Sequence, residues 1–150
     1  MGYTFGKKSK EKLATCHPDL QKILQLAITR SKVDFGVSEG RRDLDRQWKL
    51  YQKGKSKIDG VSSKGKHNYD PSLAADLYVY HADKETRVRI IYEEKHLSYI
   101  AGVIDACAAE LYEKGEVQHL IRWGGNWDSD GVIGLDQTFW DMPHHELIKP

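Results

Sequence analysis

The chain has 150 residues, a mass of 17.2 kDa and a net charge of +1, with 39% hydrophobic and 30% charged residues. That size suits one domain over residues 1–150 with a core of its own, and the composition is that of a globular chain rather than a disordered one. The charge is too small for a nucleic-acid footprint, and no apolar run reaches the roughly 18 residues needed to insert across a bilayer.

The first ten residues are polar and basic with no apolar stretch behind them, unlike a secretory leader. Residues 9–28 read as helix: Leu13, Leu20, Ile23, Leu24, Ala27 and Ile28 recur at helical spacing, and Pro18 divides the stretch in two. Residues 33–37 suit a short strand. A second helix is expected over 43–54, with Asp43 as N-cap, Leu44, Trp48 and Tyr51 on one face, and Gly54 as the stop. Residues 55–71 form a polar loop, and 73–79 alternate as a strand through Asp76. The clearest helix is 94–114, where Leu97, Ile100, Ala101, Ile104, Ala108 and Leu111 make one stripe and Gly115 closes it. Residues 120–123 read as a strand, 126–136 as a Gly- and Asp-rich loop, and 145–148 as a final strand. Helices beside a small antiparallel sheet make an α+β domain. Cys16 and Cys107 lie far apart without C-x-x-C spacing, so neither a disulfide framework nor a thiolate zinc site is expected.

Two segments carry metal-ligand chemistry. One runs from His67 to Asp76, and the other holds Trp140, Asp141, His144, His145 and Glu146. Imidazole nitrogen and carboxylate oxygen both bind zinc, and a zinc hydrolase keeps three protein ligands and one open position. His145 alternates with His144 along a strand and so faces the other side, as a surface or packing residue. His17, His81, His96 and His119 lack ligand spacing and read as surface, while Trp123 and Trp127 read as core. Asn126, Asp128, Asp130 and Gly131 follow the opening of a Ca²⁺-binding loop. Its closing glutamate is replaced by Gln137 beside Asp136, so a calcium loop and a plain Asp/Gly turn both stay open.

These segments resemble the signatures of the zinc D,D-carboxypeptidase and L-alanyl-D-glutamate endopeptidase family, above all its single-domain phage endolysins. The resemblance covers nearly the whole chain. It implies a hedgehog/D,D-peptidase-like zinc peptidase fold in which His67, Asp76 and His144 hold one Zn²⁺, with Asp141 at the acid/base position. Glu146 matches the carboxylate that follows the third ligand, either supporting the metal site or forming a salt bridge. Glu39, Gly40, Arg41 and Arg42, followed by Gln47, Tyr51 and Gly54, resemble the substrate-side segment of the family. There Arg42, rather than Arg41, would face the scissile carbonyl and stabilise the oxyanion. Trp123, Gly124, Gly125, Asn126 and Trp127 resemble the family's Trp-Gly-Gly-Asp-Trp turn, and Trp140 would line the cleft beside Asp141. Two departures stand out: Gly65 replaces the usual serine before the first ligand, and the loop from His67 to Asp76 is longer.

The implied activity is hydrolysis of peptidoglycan stem peptides at the L-alanyl–D-glutamate bond, for lysis of a bacterial host. A D,D-carboxypeptidase trimming terminal D-alanine, and a non-catalytic zinc domain of the hedgehog type, are the alternatives. Asp rather than Glu at position 141 favours the endopeptidase. A membrane-disrupting lysis protein would need a strongly cationic amphipathic helix, whereas 94–114 carries both signs of charge. The expected enzyme is a monomer that accumulates in the host cytoplasm and reaches the wall through a separate pore-forming protein.

Overall fold

The computed structural model of the protein describes residues 2–133 and 141–150. Pro18 does divide the first helical stretch, into α1 (Lys7–Leu13) and α2 (Pro18–Arg30). Pro18 occupies the first turn of α2, where a missing N–H costs nothing, and His17 Nδ1 caps that turn by accepting from the Asp19 N–H at 3.0 Å. After β1 (Phe35–Glu39) comes α3 (Leu44–Gln52), whose N-cap Asp43 accepts from the Arg46 N–H at 2.7 Å. Gly54, at φ +71°, ends it in the left-handed region that glycine enters without strain. Leu44, Trp48 and Tyr51 do share a face of α3, but that face is 40–46% exposed, and the side turned inward carries the buried Gln47.

Strand β2 spans Ala74–Val79, and α5 spans Glu94–Glu113. Between them lies α4 (Lys84–Ile90), which the hydrophobic pattern did not announce. None of its residues is buried, so no apolar stripe marks it; its local signals are the cap Asp83, which accepts from the Thr86 N–H at 3.0 Å, Glu85 in the first turn, and Arg87 and Arg89 in the last. All six residues of the predicted α5 stripe are buried, joined by Cys107. Cys16 and Cys107 are both free and buried, and burial pushes both thiols up, Cys16 to about 11.

The last two strands are β3 (Leu120–Gly124) and β4 (Asp141–Ile148). The four strands form one antiparallel sheet in the order β1-β2-β4-β3. Strand β4 begins four residues earlier than the alternation suggested, because Pro143 masks its first half. The pairing shifts between Trp123↔His145 and Gly124↔Asp141, leaving Pro143 inside an irregularity where it owes the ladder no N–H.

Helices α2 and α5 pack on one face of the sheet. Ala75, Leu77 and Val79 of β2 and Leu147 of β4 enter that core with Leu20, Ile23, Leu24, Leu97, Ile100 and Ile104. Strand periodicity sends the residues between them to the opposite face. Asp76 therefore shares a face with His144 and Glu146, and the register sets Asp76 opposite His144 and Ala74 opposite Glu146.

Candidate metal centre and cleft

His145 points to the core side, as alternation requires. It is 1% exposed, stacks on Trp123 with ring centroids 6.4 Å apart, and is therefore packing rather than surface. Burial pushes its pKa down to about 3, with the neighbouring His144 adding to the effect, so it stays neutral.

His67 arrives from a short 3-10 turn, Lys66–Asn68, inside the predicted loop. Its Nε2 lies 3.2 Å from Asp76 Oδ1, and His144 Nδ1 lies 3.2 Å from the same oxygen. Ligands about 2.0–2.1 Å from a tetrahedral zinc sit roughly 3.3 Å from one another, so the spacing suits a shared ion. The tautomers agree with that spacing. His67 Nδ1 is 2.7 Å from the Gly40 carbonyl, which can only accept, so Nδ1 carries the proton and Nε2 a lone pair. His144 Nε2 donates to Glu146 Oε1 at 2.8 Å, which leaves the Nδ1 lone pair facing Asp76. Two lone pairs and a carboxylate oxygen turned toward one point repel unless a cation or proton lies among them. The donor set fits a divalent metal.

The electrostatics follow from this crowding. Burial opposes ionisation of Asp76, but the two imidazoles outweigh it and hold the carboxyl far below the usual range. Burial also opposes protonation of His144; where a proton rather than a cation occupies the centre, Nδ1–H bonds Asp76 while Nε2–H bonds Glu146, and the two carboxylates overcome burial and raise the pKa to about 9. Glu146 makes two contacts at once. Its Oε1 accepts from His144 Nε2–H at 2.8 Å, and its Oε2 accepts from Arg122 at 2.8 Å.

The triad forms one wall of a cleft of about 470 Å³, which Arg42, Asp141, Gln47 and Trp127 also line. Burial, and then the charge of Asp76, push the Asp141 carboxyl above the ordinary aspartate value, while His144, His67 and Arg42 pull it down. Arg42 is fixed by a two-point pair with Glu39, at 2.9 Å from each oxygen, and by a 3.0 Å bond to Gln47 Oε1. Its Nη2 is 3.6 Å from Asp76 Oδ2. Arg41 lies outside the cleft, loosely paired with Asp70 at 3.7 Å. Buried Gln47 also donates to Ser56 Oγ and the Ile58 carbonyl, tying the 55–58 loop to Arg42.

Trp123 is core, with its indole N–H donating to the Met142 carbonyl at 2.7 Å. Trp127 is not: it lines the cleft, its ring 5.3 Å from that of His144 and under the Arg122 guanidinium. Trp140 lies outside the described residues, as do Asp136 and Gln137. Sequence reasoning placed Glu39 and Gly40 in the substrate-side segment without giving either a role of its own. Gly40 carries no signal beyond its being glycine, whereas Glu39 could have been found from its i,i+3 spacing to Arg42.

Asn126, Asp128 and Asp130 sit in a tight turn. Asp128 accepts from the Asp130 N–H at 3.2 Å and Asp130 from the Val132 N–H at 2.8 Å, with Ser129 and Gly131 at positive φ. Asn126 Oδ1 is buried with no hydrogen-bond partner among the described residues.

Among the described residues a second cluster, His17, Asp19 and His119, also brings potential ligand atoms together. Neither histidine is the plain surface residue that spacing suggested. Here, however, the contacts are those of a hydrogen-bonded tie. Asp19 Oδ2 accepts from His119 Nδ1 at 2.7 Å and from the Gln118 N–H at 2.8 Å, and the His17 Nδ1 lone pair is spent on the α2 cap. The cluster fastens the start of α2 to the segment leading into β3.

A sheet that presents a metal-capable triad in the wall of an open cleft, with a carboxylate of raised pKa and a fixed guanidinium beside it, has the architecture of a hydrolase. Comparison with known proteins narrows that class. The model of the family "Phage L-alanyl-D-glutamate peptidase" matches residues 1–148, and the chain belongs to that family. It is 36% identical over 150 residues to the L-alanyl-D-glutamate peptidase of Escherichia phage T5, covering 99% of this chain and 100% of that one. The crystal structure of the Serratia marcescens L-Ala D-Glu endopeptidase ChiX superposes with a TM-score of 0.73 at 27% identity, over 97% of this chain and 90% of that one.

Proposed function

We propose that residues 1–150 act as one catalytic domain, a monomeric zinc peptidase that cuts the L-alanyl–D-glutamate bond of bacterial peptidoglycan stems. The observation that supports this most directly is the convergence of His67 Nε2, His144 Nδ1 and Asp76 Oδ1, at 3.2 Å spacings, with each ring's other nitrogen already bonded. Membership of the family supports the choice of bond. A bound zinc would supply an electrophile for the scissile carbonyl and lower the pKa of its water toward about 7. Asp141, with its raised pKa, takes the proton of the attacking water and passes it to the leaving amine. Arg42, held by Glu39 and Gln47, places positive charge where the carbonyl oxygen becomes an oxyanion.

Mass spectrometry of digested peptidoglycan tests the reading. New N-terminal D-glutamate is expected; release of D-alanine alone would point to a carboxypeptidase, and no product to a non-catalytic zinc domain. Asp141→Ala should slow lysis of permeabilised Gram-negative cells by about 10²–10⁴-fold with zinc content unchanged, and undiminished lysis would refute its role as base.

A calcium ion at Asn126, Asp128 and Asp130 belongs to the same reading, supported by the unpartnered Asn126 Oδ1. A calcium titration that leaves both melting temperature and activity unchanged removes it. Among the described residues no helix is long and apolar enough to cross a membrane. On this reading a separate pore-forming protein delivers the enzyme from the host cytoplasm to the wall.

A further inference from the structure

The cleft concentrates positive charge that its own carboxylates do not neutralise. Seven lysine and arginine side chains line it against four carboxylates, in a chain whose net charge is only +1. The three arginines are engaged: Arg42 and Arg46 by Glu39, and Arg122 by Glu146. Lys55, Lys64 and Lys66 are not, since none has a carboxylate oxygen within 4.0 Å among the described residues.

Their backbone is anchored. Lys66 opens the 3-10 turn that carries His67, and its carbonyl accepts from the Leu73 N–H at 3.0 Å. Lys64 stands two residues earlier, with its ammonium 5.8 Å from the centre of the Tyr69 ring. Lys55 comes from beyond the end of α3, with its N–H bonded to the Leu50 carbonyl at 2.9 Å, in the loop that Gln47 ties down. Uncompensated cations on the rim of an active cleft raise the local concentration of anionic substrate and favour a charge of opposite sign.

The stem peptide offers such a charge beside the scissile bond. D-Glutamate joins the next residue through its γ-carboxyl, so its α-carboxyl stays free or is amidated, and the carbon bearing it also bears the scissile nitrogen. We propose that Lys55, Lys64 and Lys66 form an anion-reading wall that selects stems whose D-glutamate keeps a free α-carboxylate over stems amidated there. This rests on the peptidase reading above.

The test compares hydrolysis of three synthetic stems: one unmodified, one amidated only at the D-glutamate α-carboxyl, and one amidated only at the side-chain carboxyl of the third residue. The full chain loaded with zinc should favour the unmodified stem over the α-amide by about tenfold in kcat/KM, the sum of a few partly exposed ion pairs. The triple variant Lys55→Gln, Lys64→Gln, Lys66→Gln should bring that ratio close to one, mainly through KM for the unmodified stem. The single variant Lys64→Gln should lower it in part, and Lys84→Gln, on α4 away from the cleft, should leave it alone. Equal melting temperatures confirm that folding is intact. A wild-type chain indifferent to α-amidation, a preference that survives the triple substitution, or sensitivity only to the third-residue amide would overturn the proposal while leaving the peptidase reading standing. A chain that cuts none of the three stems overturns the peptidase reading itself.

Discussion

His144 owes its usefulness to Glu146 as much as to its own position. The carboxylate fixes the proton on Nε2, and without it either nitrogen could turn toward Asp76. Glu146→Gln should therefore weaken zinc binding by about 10–100-fold, measured by competition with a chelating dye, with secondary structure retained. Arg42 shows the same dependence on a partner. Its planar fork spans both Glu39 oxygens and reaches Gln47, which an ammonium cannot do at once. Arg42→Lys should lower kcat for stem hydrolysis on the order of 100-fold, a loss of the size seen when one oxyanion donor is removed. The result to the contrary would be a kcat within a fewfold of wild type.

At the scale of elements, β4 links the core to the chemistry. One strand sends Leu147 and His145 into the core and His144 and Glu146 into the cleft, so packing of one face fixes the side chains of the other. Its irregular start works only because β3 ends in Gly124. A methyl group there would strike the Asp141 carbonyl oxygen, and backbone cannot step aside as a flexible side chain would. Gly124→Ala should cost about 1–3 kcal/mol in thermal unfolding and displace Asp141, cutting activity more than stability alone explains. A variant with wild-type melting temperature and turnover would show that the approach of β3 to Asp141 is looser than described. The caps at Asp43 and Asp83 do comparable work for α3 and α4.

For the molecule as a whole, Glu39 joins three parts: the end of β1, the Arg42 segment and the first turn of α3. Burial alone would raise its pKa, but the guanidinium groups of Arg42 and Arg46 bring it from 4.5 down to about 2. The folded state thus favours the ionised form. The stability this contributes is complete above about pH 4.5 and is lost as the pH falls through the window toward 2. Melting temperatures of wild type and Glu39→Gln should differ by the equivalent of about 2 kcal/mol at neutral pH and converge in that acid window. A gap that stays constant down to pH 2 would mean that the pair does not hold the folded state.

Much of this was legible from the residues in order. Helices α2 and α5 and strand β2 declare themselves because burial of one face imposes a period on the chain, and caps and stops such as Asp43 and Gly54 act over a few residues. The residues in order offered two segments of metal-ligand chemistry, and the family resemblance singled out His67, Asp76 and His144 within them. Tertiary structure alone decided which nitrogen of each ring faces Asp76, that Glu146 serves His144 and Arg122 together, and that Gly40 holds His67. It also turned the apolar face of α3 to solvent, carried Trp127 into the cleft and drew His17 and His119 together around Asp19. The physical reason is range: periodicity and capping are set by neighbours along the chain, whereas tautomers, shared carboxylates and clefts depend on groups up to 100 residues apart that meet only once the sheet has closed on its helices.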